Sequence, residues 1–161
     1  MVKHLFLVRH GQAESAISND FGRELTSEGE LSVLRLGRWM SENKHLVDKI
    51  FSSPAIRAKT TSELITEGLE LTYSIRYIED LYEASIRILL REINKFEDDL
   101  NSCMLVGHNP SLTYLVEYLT GESFHGMEPG GLAHITFSNV SWSEVSQNLG
   151  KLSFYRSPHS E

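Results

Sequence analysis

The chain lacks the features that mark secreted, membrane-spanning and zinc-dependent proteins. Cys103 is the single cysteine among 161 residues, so an internal disulfide is impossible. No Cys/His cluster has zinc spacing, and no apolar run approaches the roughly 20 residues needed to span a bilayer. The apolar run at 5–8 is too short for the core of a signal peptide. These absences predict a cytoplasmic protein without a metal ion, a cofactor or a membrane partner.

Basic residues are also too few for a general nucleic-acid binder. The chain holds 15 Lys and Arg against 22 Asp and Glu, which gives a formal net charge of −7. A protein that follows a nucleic-acid backbone needs a basic surface. The charge therefore excludes that class of partner, and arginines next to histidines indicate one local anion site. The length and the 40% hydrophobic content fit one domain, residues 1–161.

What the chain does contain is an arginine and a histidine at the end of an apolar strand. Residues 3–8 are predicted to form a short buried strand, and Arg9, His10 and Gly11 follow. Arg9 offers a planar donor fork to an oxyanion, and His10 offers a nitrogen that can be neutral and nucleophilic near pH 7. Gly11 lets the backbone turn sharply. Taken alone, this tripeptide is equally compatible with a surface loop.

Hydrophobic patterns along the rest of the chain alternate between strands and helices. This alternation predicts an α/β fold, a three-layer sandwich with a mainly parallel central sheet and helices on both faces. The predicted strands are 3–8, 47–51, 73–78, 103–106, 133–137 and 151–155. The predicted helices are 27–43, 54–69, 86–96 and 110–119.

Three of these helices carry signals for their first residue. A capping-box pattern begins at Ser27, and Ser53 is the predicted N-cap of a helix that starts at Pro54. Asn109 is the predicted N-cap of the helix that starts at Pro110. The helices predicted at 54–69 and 110–119 therefore each begin directly after a strand.

Polar residues of one kind follow four of the predicted strands. Because the carboxyl ends of parallel strands share one edge of a sheet, these residues are expected to converge. They are Arg9 with His10, Arg57, His108 and a carboxylate from the loop 79–85. Helix N-termini add positive potential at the same edge. Such a site suits a phosphoryl group.

The chemistry of phosphoryl transfer gives each basic residue a role. Arg9 and Arg57 would clamp the equatorial oxygens, and His108 would donate a hydrogen bond to one of them. His10 would attack phosphorus in line and form a phosphohistidine that water hydrolyses. The neighbouring arginines would disfavour the imidazolium and keep His10 nucleophilic.

A carboxyl group must protonate the leaving atom and then activate water. Glu83 is the first choice for this role, and Glu79 and Asp80 are the alternatives. A cysteine-based phosphatase is excluded, since Cys103 would need a partner arginine at the position of Asn109. The remaining histidines have no motif around them and are assigned to the core or the surface.

Five ordered motifs run through nearly the whole chain. They are Leu-Val-Arg-His-Gly at 7–11, residues 23–29, Ser-Ser-Pro-Ala-Ile-Arg-Ala at 52–58, Leu-Tyr-Glu-Ala at 81–84, and Val-Gly-His-Asn-Pro at 106–110. This set resembles the histidine phosphatase (phosphoglycerate mutase-like) superfamily, and within it the small phosphohistidine phosphatases of the SixA type. The resemblance implies a phosphoglycerate mutase-like fold and phosphorylation of His10. It also implies phosphate binding by Arg9, Arg57 and His108, and Glu83 as the acid.

The chain departs from the family pattern just after the first motif. Mutases and sugar phosphatases of the family usually carry Ser or Thr and then Asn there, whereas the spacing here gives Ala13 and Ala16. Ser15 or Asn19 could replace part of this lost phosphate contact. The long insertions that cap the pocket in mutases are absent too. These departures favour an open site for phosphohistidine on a protein.

The substrate class is not decided by the sequence. The favoured partner is a phosphorylated protein, such as a histidine phosphotransfer domain. One alternative is a phosphomonoesterase acting on a small sugar or nucleotide phosphate, and another is a non-catalytic module that binds a phosphorylated ligand. The oligomeric state stays open, and a monomer is compatible with the sequence. Whether the loop 12–24 closes over the site is also open.

Overall fold

Strands and helices alternate in the predicted order in the computed structural model, which describes residues 1–15, 18–70, 72 and 74–159. The strands in this part of the chain are β1 (Val2–Arg9), β2 (Lys49–Ser52), β3 (Ile75–Tyr77), β4 (Ser102–Gly107), β5 (Leu132–Ser138) and β6 (Lys151–Arg156). The α-helices are α1 (Ser27–Glu42), α2 (Ile56–Leu69), α3 (Ile86–Asn94) and α4 (Ser111–Thr120). No helix in the described ranges is both long and apolar enough to cross a membrane.

All these strands join one sheet in the order β3-β2-β4-β1-β5-β6. The pairs β1–β4, β2–β4 and β2–β3 are parallel, whereas β5 runs antiparallel to both β1 and β6. The predicted mainly parallel sheet is therefore confirmed. Its consequence is that β1, β2 and β4, which precede three of the predicted site motifs, end at the same edge.

Successive residues of β1 point to opposite faces of the sheet, and each face is covered by helices. Phe6 and Val8 belong to the core cluster that contains α1 and α2, while Leu5 and Leu7 belong to the cluster that contains α3 and α4. This is the period-two alternation of a central strand buried on both sides. The predicted three-layer sandwich is confirmed.

The predicted caps of the first two helices are wrong by one or two residues. Thr26, rather than Ser27, caps α1, and its Oγ1 accepts the N–H of Gly29 at 2.9 Å. The N-cap position of α2 is Ala55, so Ser53 belongs to the loop before the helix. Thr26 and Ser27 are both cap-forming residues, so the pattern alone does not choose between them. At α2, Ser53 Oγ accepts the N–H of Ala55 just before the helix begins.

Other boundaries differ from the predictions by a few residues. The helix α3 ends at Asn94 instead of 96, and β3 is limited to Ile75–Tyr77 within the predicted range 73–78. Tyr73, the first residue of that predicted strand, lies outside the described residues. Element ends fray and are poorly marked in a sequence, so differences of this size are expected.

Candidate active site

The carboxyl ends of β1 and β4 bring the two predicted histidines together. Arg9 is in register with Gly107, so His10 and His108 follow at the same level of the sheet. The backbone N–H of His10 donates to the carbonyl of Gly107 at 3.1 Å. The centroids of the two imidazole rings are 5.2 Å apart. One phosphoryl group can therefore contact both rings.

Two hydrogen bonds define the tautomer of His10. Its Nδ1 lies 2.8 Å from the carbonyl oxygen of Gly11, and Arg57 Nε donates to its Nε2 at 3.3 Å. A carbonyl oxygen can only accept, so Nδ1 carries the proton. A guanidinium N–H can only donate, so Nε2 presents its lone pair. The ring is neutral, and Nε2 is its nucleophilic atom.

Burial keeps His10 in this neutral form. The residue is 7% exposed, and burial lowers its pKa to about 4 although the Gly11 carbonyl acts in the opposite direction. The positive charges of Arg57 and Arg9 lower the pKa further. Desolvation is thus a larger cause of the low pKa than the arginines, from which the sequence alone predicts it.

His108 holds a buried nitrogen without a protein partner. Its Nε2 lies 2.8 Å from Ser53 Oγ, which already accepts the N–H of Ala55. A hydroxyl has one donor and two acceptor sites, so Ser53 can donate to Nε2, which places the ring proton on Nδ1, or accept from it, which leaves Nδ1 as an acceptor. That Nδ1 is buried and has no hydrogen-bond partner among the described residues. Burial lowers the pKa of His108 to about 3, and His10 acts in the same direction.

Arg9 provides a second buried nitrogen without a protein partner. Its Nη1 donates to the carbonyl of Met127 at 2.8 Å, which Asn109 Nδ2 also contacts at 3.0 Å. Its Nε is buried and finds no acceptor within the described ranges. The predicted N-cap of α4 is wrong by one residue, because Pro110 occupies that position and the helix begins at Ser111, while Asn109 Oδ1 accepts the N–H of Thr113 at 3.3 Å. Buried unpaired donors are costly, and an oxyanion would satisfy them.

Arg57 connects α2, the nucleophile and the loop after β1. It lies in the first turn of α2 as predicted and is 6% exposed. Besides its contact with His10, it donates from Nη1 to the backbone oxygen of Asp20 at 2.8 Å and from Nη2 to Asp20 Oδ2 at 3.0 Å. Thr61 fixes the same turn, because its hydroxyl donates to the Arg57 carbonyl and accepts the N–H of Gly11. The guanidinium is therefore held in one orientation.

Glu83 is placed less firmly than the basic residues. It is exposed and, within the described part of the chain, its side chain forms no hydrogen bond or ion pair. Its φ of 56° is left-handed, which is uncommon for a residue other than glycine. Of the alternatives, Asp80 is paired with Arg91 at 2.9 Å, while Glu79 opens a short 3₁₀ turn. The structure brings Arg9, Arg57 and both histidines together but leaves the acid unfixed.

Asp20 is a site residue that the sequence reasoning missed. Besides Arg57, its carboxylate accepts from the hydroxyl of Tyr82 at 2.7 Å and from Arg23 Nη1 at 3.1 Å. The Tyr82 hydrogen bond, followed by those from Arg23 and Arg57, holds the pKa of Asp20 well below its usual range. The only sequence signal was an acidic residue in a polar loop predicted to lie near the site, which did not distinguish it from its neighbours.

The positions that depart from the family pattern have ordinary roles where they are described. Ala13 forms a backbone bridge with Leu25 and packs against the core. Asn19 Oδ1 accepts the N–H of Gly22 at 2.7 Å, so its amide is used within the loop. Ala16 lies outside the described residues.

A second histidine cluster lies at the other end of β1. His4 Nδ1 and His134 Nε2 are 2.9 Å apart, and His134 stacks on Phe6 with ring centroids 4.3 Å apart. Burial lowers the pKa of His134 to about 4. In the described ranges no three His, Cys, Asp or Glu side chains are grouped to hold a metal ion. These histidines pack against the core and not against the phosphoryl site.

Comparison with known proteins identifies the family. The model of the histidine phosphatase superfamily (branch 1) matches residues 5–89, which include Arg9, His10, Arg57 and Glu83. The chain belongs to this superfamily. The match covers the segment in which both predicted arginines and the nucleophile lie.

Relatives of the chain include proteins named for an activity and uncharacterised proteins. Phosphohistidine phosphatase SixA of Escherichia coli is 25% identical over 137 residues, which cover 82% of this chain and 84% of SixA. An uncharacterised protein of Mycobacterium leprae is 30% identical over 102 residues, 63% of this chain but only 61% of that protein. The structure of the protein histidine phosphatase SixA complexed with tungstate superimposes with a TM-score of 0.83 over 96% of this chain and 97% of that one, at 23% identity, and so shares the fold.

Proposed function

We propose that this protein is a metal-independent phosphatase that forms a phosphohistidine on His10 and removes phosphate from phosphohistidine in a protein. The observation that carries the proposal is a buried, unprotonated Nε2 close to two buried nitrogens, Arg9 Nε and His108 Nδ1, that have no hydrogen-bond partner among the described residues. Arg57 adds a second positive charge next to the same nitrogen. A phosphoryl group would accept hydrogen bonds from Arg9 Nε and His108 Nδ1 and present phosphorus to Nε2.

In the first step His10 Nε2 attacks phosphorus. A new P–N bond forms while the bond from phosphorus to the leaving nitrogen breaks, and the leaving imidazole keeps the electron pair. Glu83 supplies the proton that this nitrogen takes up. Arg57 Nε donates to Nε2 in the free protein, so its N–H lies next to the phosphoryl oxygens once the lone pair of Nε2 has formed the P–N bond. Arg9, Arg57 and His108 stabilise the charge that builds up on the equatorial oxygens.

In the second step water cleaves the phosphohistidine. Glu83, now a carboxylate, accepts a proton from the water molecule as its oxygen attacks phosphorus. The bond from phosphorus to His10 Nε2 breaks, and the electron pair returns to the ring. Orthophosphate leaves, and Glu83 is protonated again for the next cycle.

Several observations support a protein substrate. Two relatives that cover 74% and 82% of this chain are named as a phosphohistidine phosphatase SixA homolog and as phosphohistidine phosphatase SixA. Ala13 lacks the hydroxyl that sugar phosphatases of the family use for substrate phosphate. The donor of the phosphoryl group would be a phosphorylated protein such as a histidine phosphotransfer domain, encountered in the cytoplasm. Turnover on phosphohistidine and sugar-phosphate panels separates this substrate from a small phosphate ester.

The decisive experiment traps the covalent intermediate. Brief incubation with labelled phosphoramidate, followed by acid or alkaline quench, should leave an acid-labile, alkali-stable label on the wild-type protein. His10→Ala should carry none, whereas His125→Ala, a control at an exposed histidine outside the site, should be labelled normally. Undiminished phosphate release by His10→Ala would refute the mechanism.

A further inference from the structure

We propose that Asp20 determines which leaving groups the site accepts. Its carboxylate favours leaving groups that are neutral or cationic, such as the imidazole of phosphohistidine. It disfavours leaving groups that carry a carboxylate or a second phosphate. The inference rests on the proposed phosphatase function and defines the substrate class of that same site.

The position of the leaving group follows from in-line geometry. The leaving atom lies across phosphorus from the attacking nitrogen. His10 is 7% exposed and forms the floor of the site, so the leaving group must point toward solvent. Asp20 binds the guanidinium that contacts His10, and its side chain is 49% exposed, so we place it, with the exposed Phe21 that follows it, on that solvent side. Tyr82 lies between these residues and the histidines of the site, since its ring centroid is 5.1 Å from that of Phe21 and 5.7 Å from that of His108.

The carboxylate of Asp20 can keep its place when phosphate binds. It takes only one N–H from Arg57 Nη2, and the Asp20 backbone takes one from Nη1. The Nε–H donates to His10, while a further N–H on each terminal nitrogen stays available for phosphoryl oxygens. Tyr82 and Arg23 hold the same carboxylate from other sides. Phosphate and Asp20 can therefore share one guanidinium.

A fixed negative charge at this place discriminates by electrostatics and hydrogen bonding. An anionic group on the leaving fragment would lie within several ångströms of Asp20 and be repelled. At an effective dielectric constant between those of protein and water, this repulsion would slow the reaction of such a substrate about tenfold. An imidazole N–H can instead donate to the carboxylate, and its ring can pack on Phe21 or Tyr82.

The test compares leaving groups in the same enzyme. Asp20→Asn and wild type are assayed with phosphoimidazole, phenyl phosphate and 3-phosphoglycerate, and each kcat/KM is divided by that for phenyl phosphate. We expect Asp20→Asn to raise the 3-phosphoglycerate ratio about tenfold and to lower the phosphoimidazole ratio severalfold. Adding salt to the wild-type enzyme should raise the 3-phosphoglycerate ratio too, because the repulsion is screened.

Glu24→Gln is the matched control, since it removes the same charge from the same loop at an exposed residue outside the site. Its ratios should equal those of wild type. If Asp20→Asn lowers all three rates by one common factor, Asp20 only orients Arg57, and the specificity role is wrong. If wild type forms no phosphorylated His10 with phosphoimidazole, the proposed function itself fails, which is a different result.

Discussion

The imidazole of His10 is neutral, and its neighbours give each ring nitrogen a separate role. Nδ1 donates its proton to the Gly11 carbonyl, and the lone pair of Nε2 accepts the N–H of Arg57. Because the ring is also buried, Nε2 is unprotonated without any bound ligand, as the proposed attack on phosphorus requires. At the scale of single residues, this state results from the tautomer and from desolvation.

The protonation of His10 should follow from this environment. In the free enzyme its imidazole should titrate near pH 4, where burial places the pKa, and not near 6.5. An NMR titration of the ring carbon resonances, with His10→Asn to assign the signal, measures the midpoint. A midpoint near that of a free histidine would contradict the buried neutral ring.

Substrates with different leaving groups can test whether Glu83 is the general acid. Removing a general acid typically costs about 10²- to 10⁴-fold, and a poor leaving group depends on it most. Glu83→Gln should therefore slow phosphorylation of His10 by phenyl phosphate more than by phosphoimidazole in single-turnover assays. Glu79→Gln and Asp80→Asn serve as controls. If either of these shows the larger effect, that residue is the acid.

At the scale of elements, the residue that caps α1 in the structure differs from the one that the sequence pattern predicts. Thr26 Oγ1 caps the helix, whereas the capping-box pattern begins at Ser27. Thr26→Ala should lower the free energy of unfolding by about 1 kcal/mol, the usual cost of a lost N-cap. Ser27→Ala should change it little. Urea unfolding of both variants measures the difference, and the reverse order would show that Ser27 is the cap.

The elements themselves could be predicted because hydrophobic runs and periodicity are local. The convergence of His10, His108 and Arg57 could be predicted too, because parallel strands place their carboxyl ends at one edge. The Arg57–Asp20 ion pair and the Ser53–His108 contact could not, since they depend on how loops fold over that edge. Loop residues follow no period, so a sequence gives no register for them.

At the scale of the whole molecule, buried neutral histidines make stability depend on pH. Burial lowers the pKa values of His10, His108 and His134 to about 4, 3 and 4. In the unfolded chain they titrate near 6.5, so between about pH 6.5 and 4 the unfolded state binds more protons. The stability these groups contribute is fully present above about pH 6.5 and is lost as the pH falls.

Urea unfolding across this range is the measurement. The free energy of unfolding should decrease from about pH 6.5 toward pH 4, by at most about 1.4 kcal/mol per pH unit for each histidine. Asp20 loses its contribution mainly below the ordinary aspartate pKa of about 4, so it does not account for the upper part of the decrease. His134→Gln should make the decrease shallower without moving the phosphoryl site. Constant stability over the range would show that these rings are not buried as neutral species.

The pairing of Asp20 with Arg57 bears on how a catalytic cycle ends. When water has cleaved the phosphohistidine, orthophosphate carries an oxygen where the leaving group was, on the side that Asp20 borders. That oxygen shares its charge with the rest of the anion, and the carboxylate opposes it. The same residue that would admit imidazole would thus hasten departure of the product.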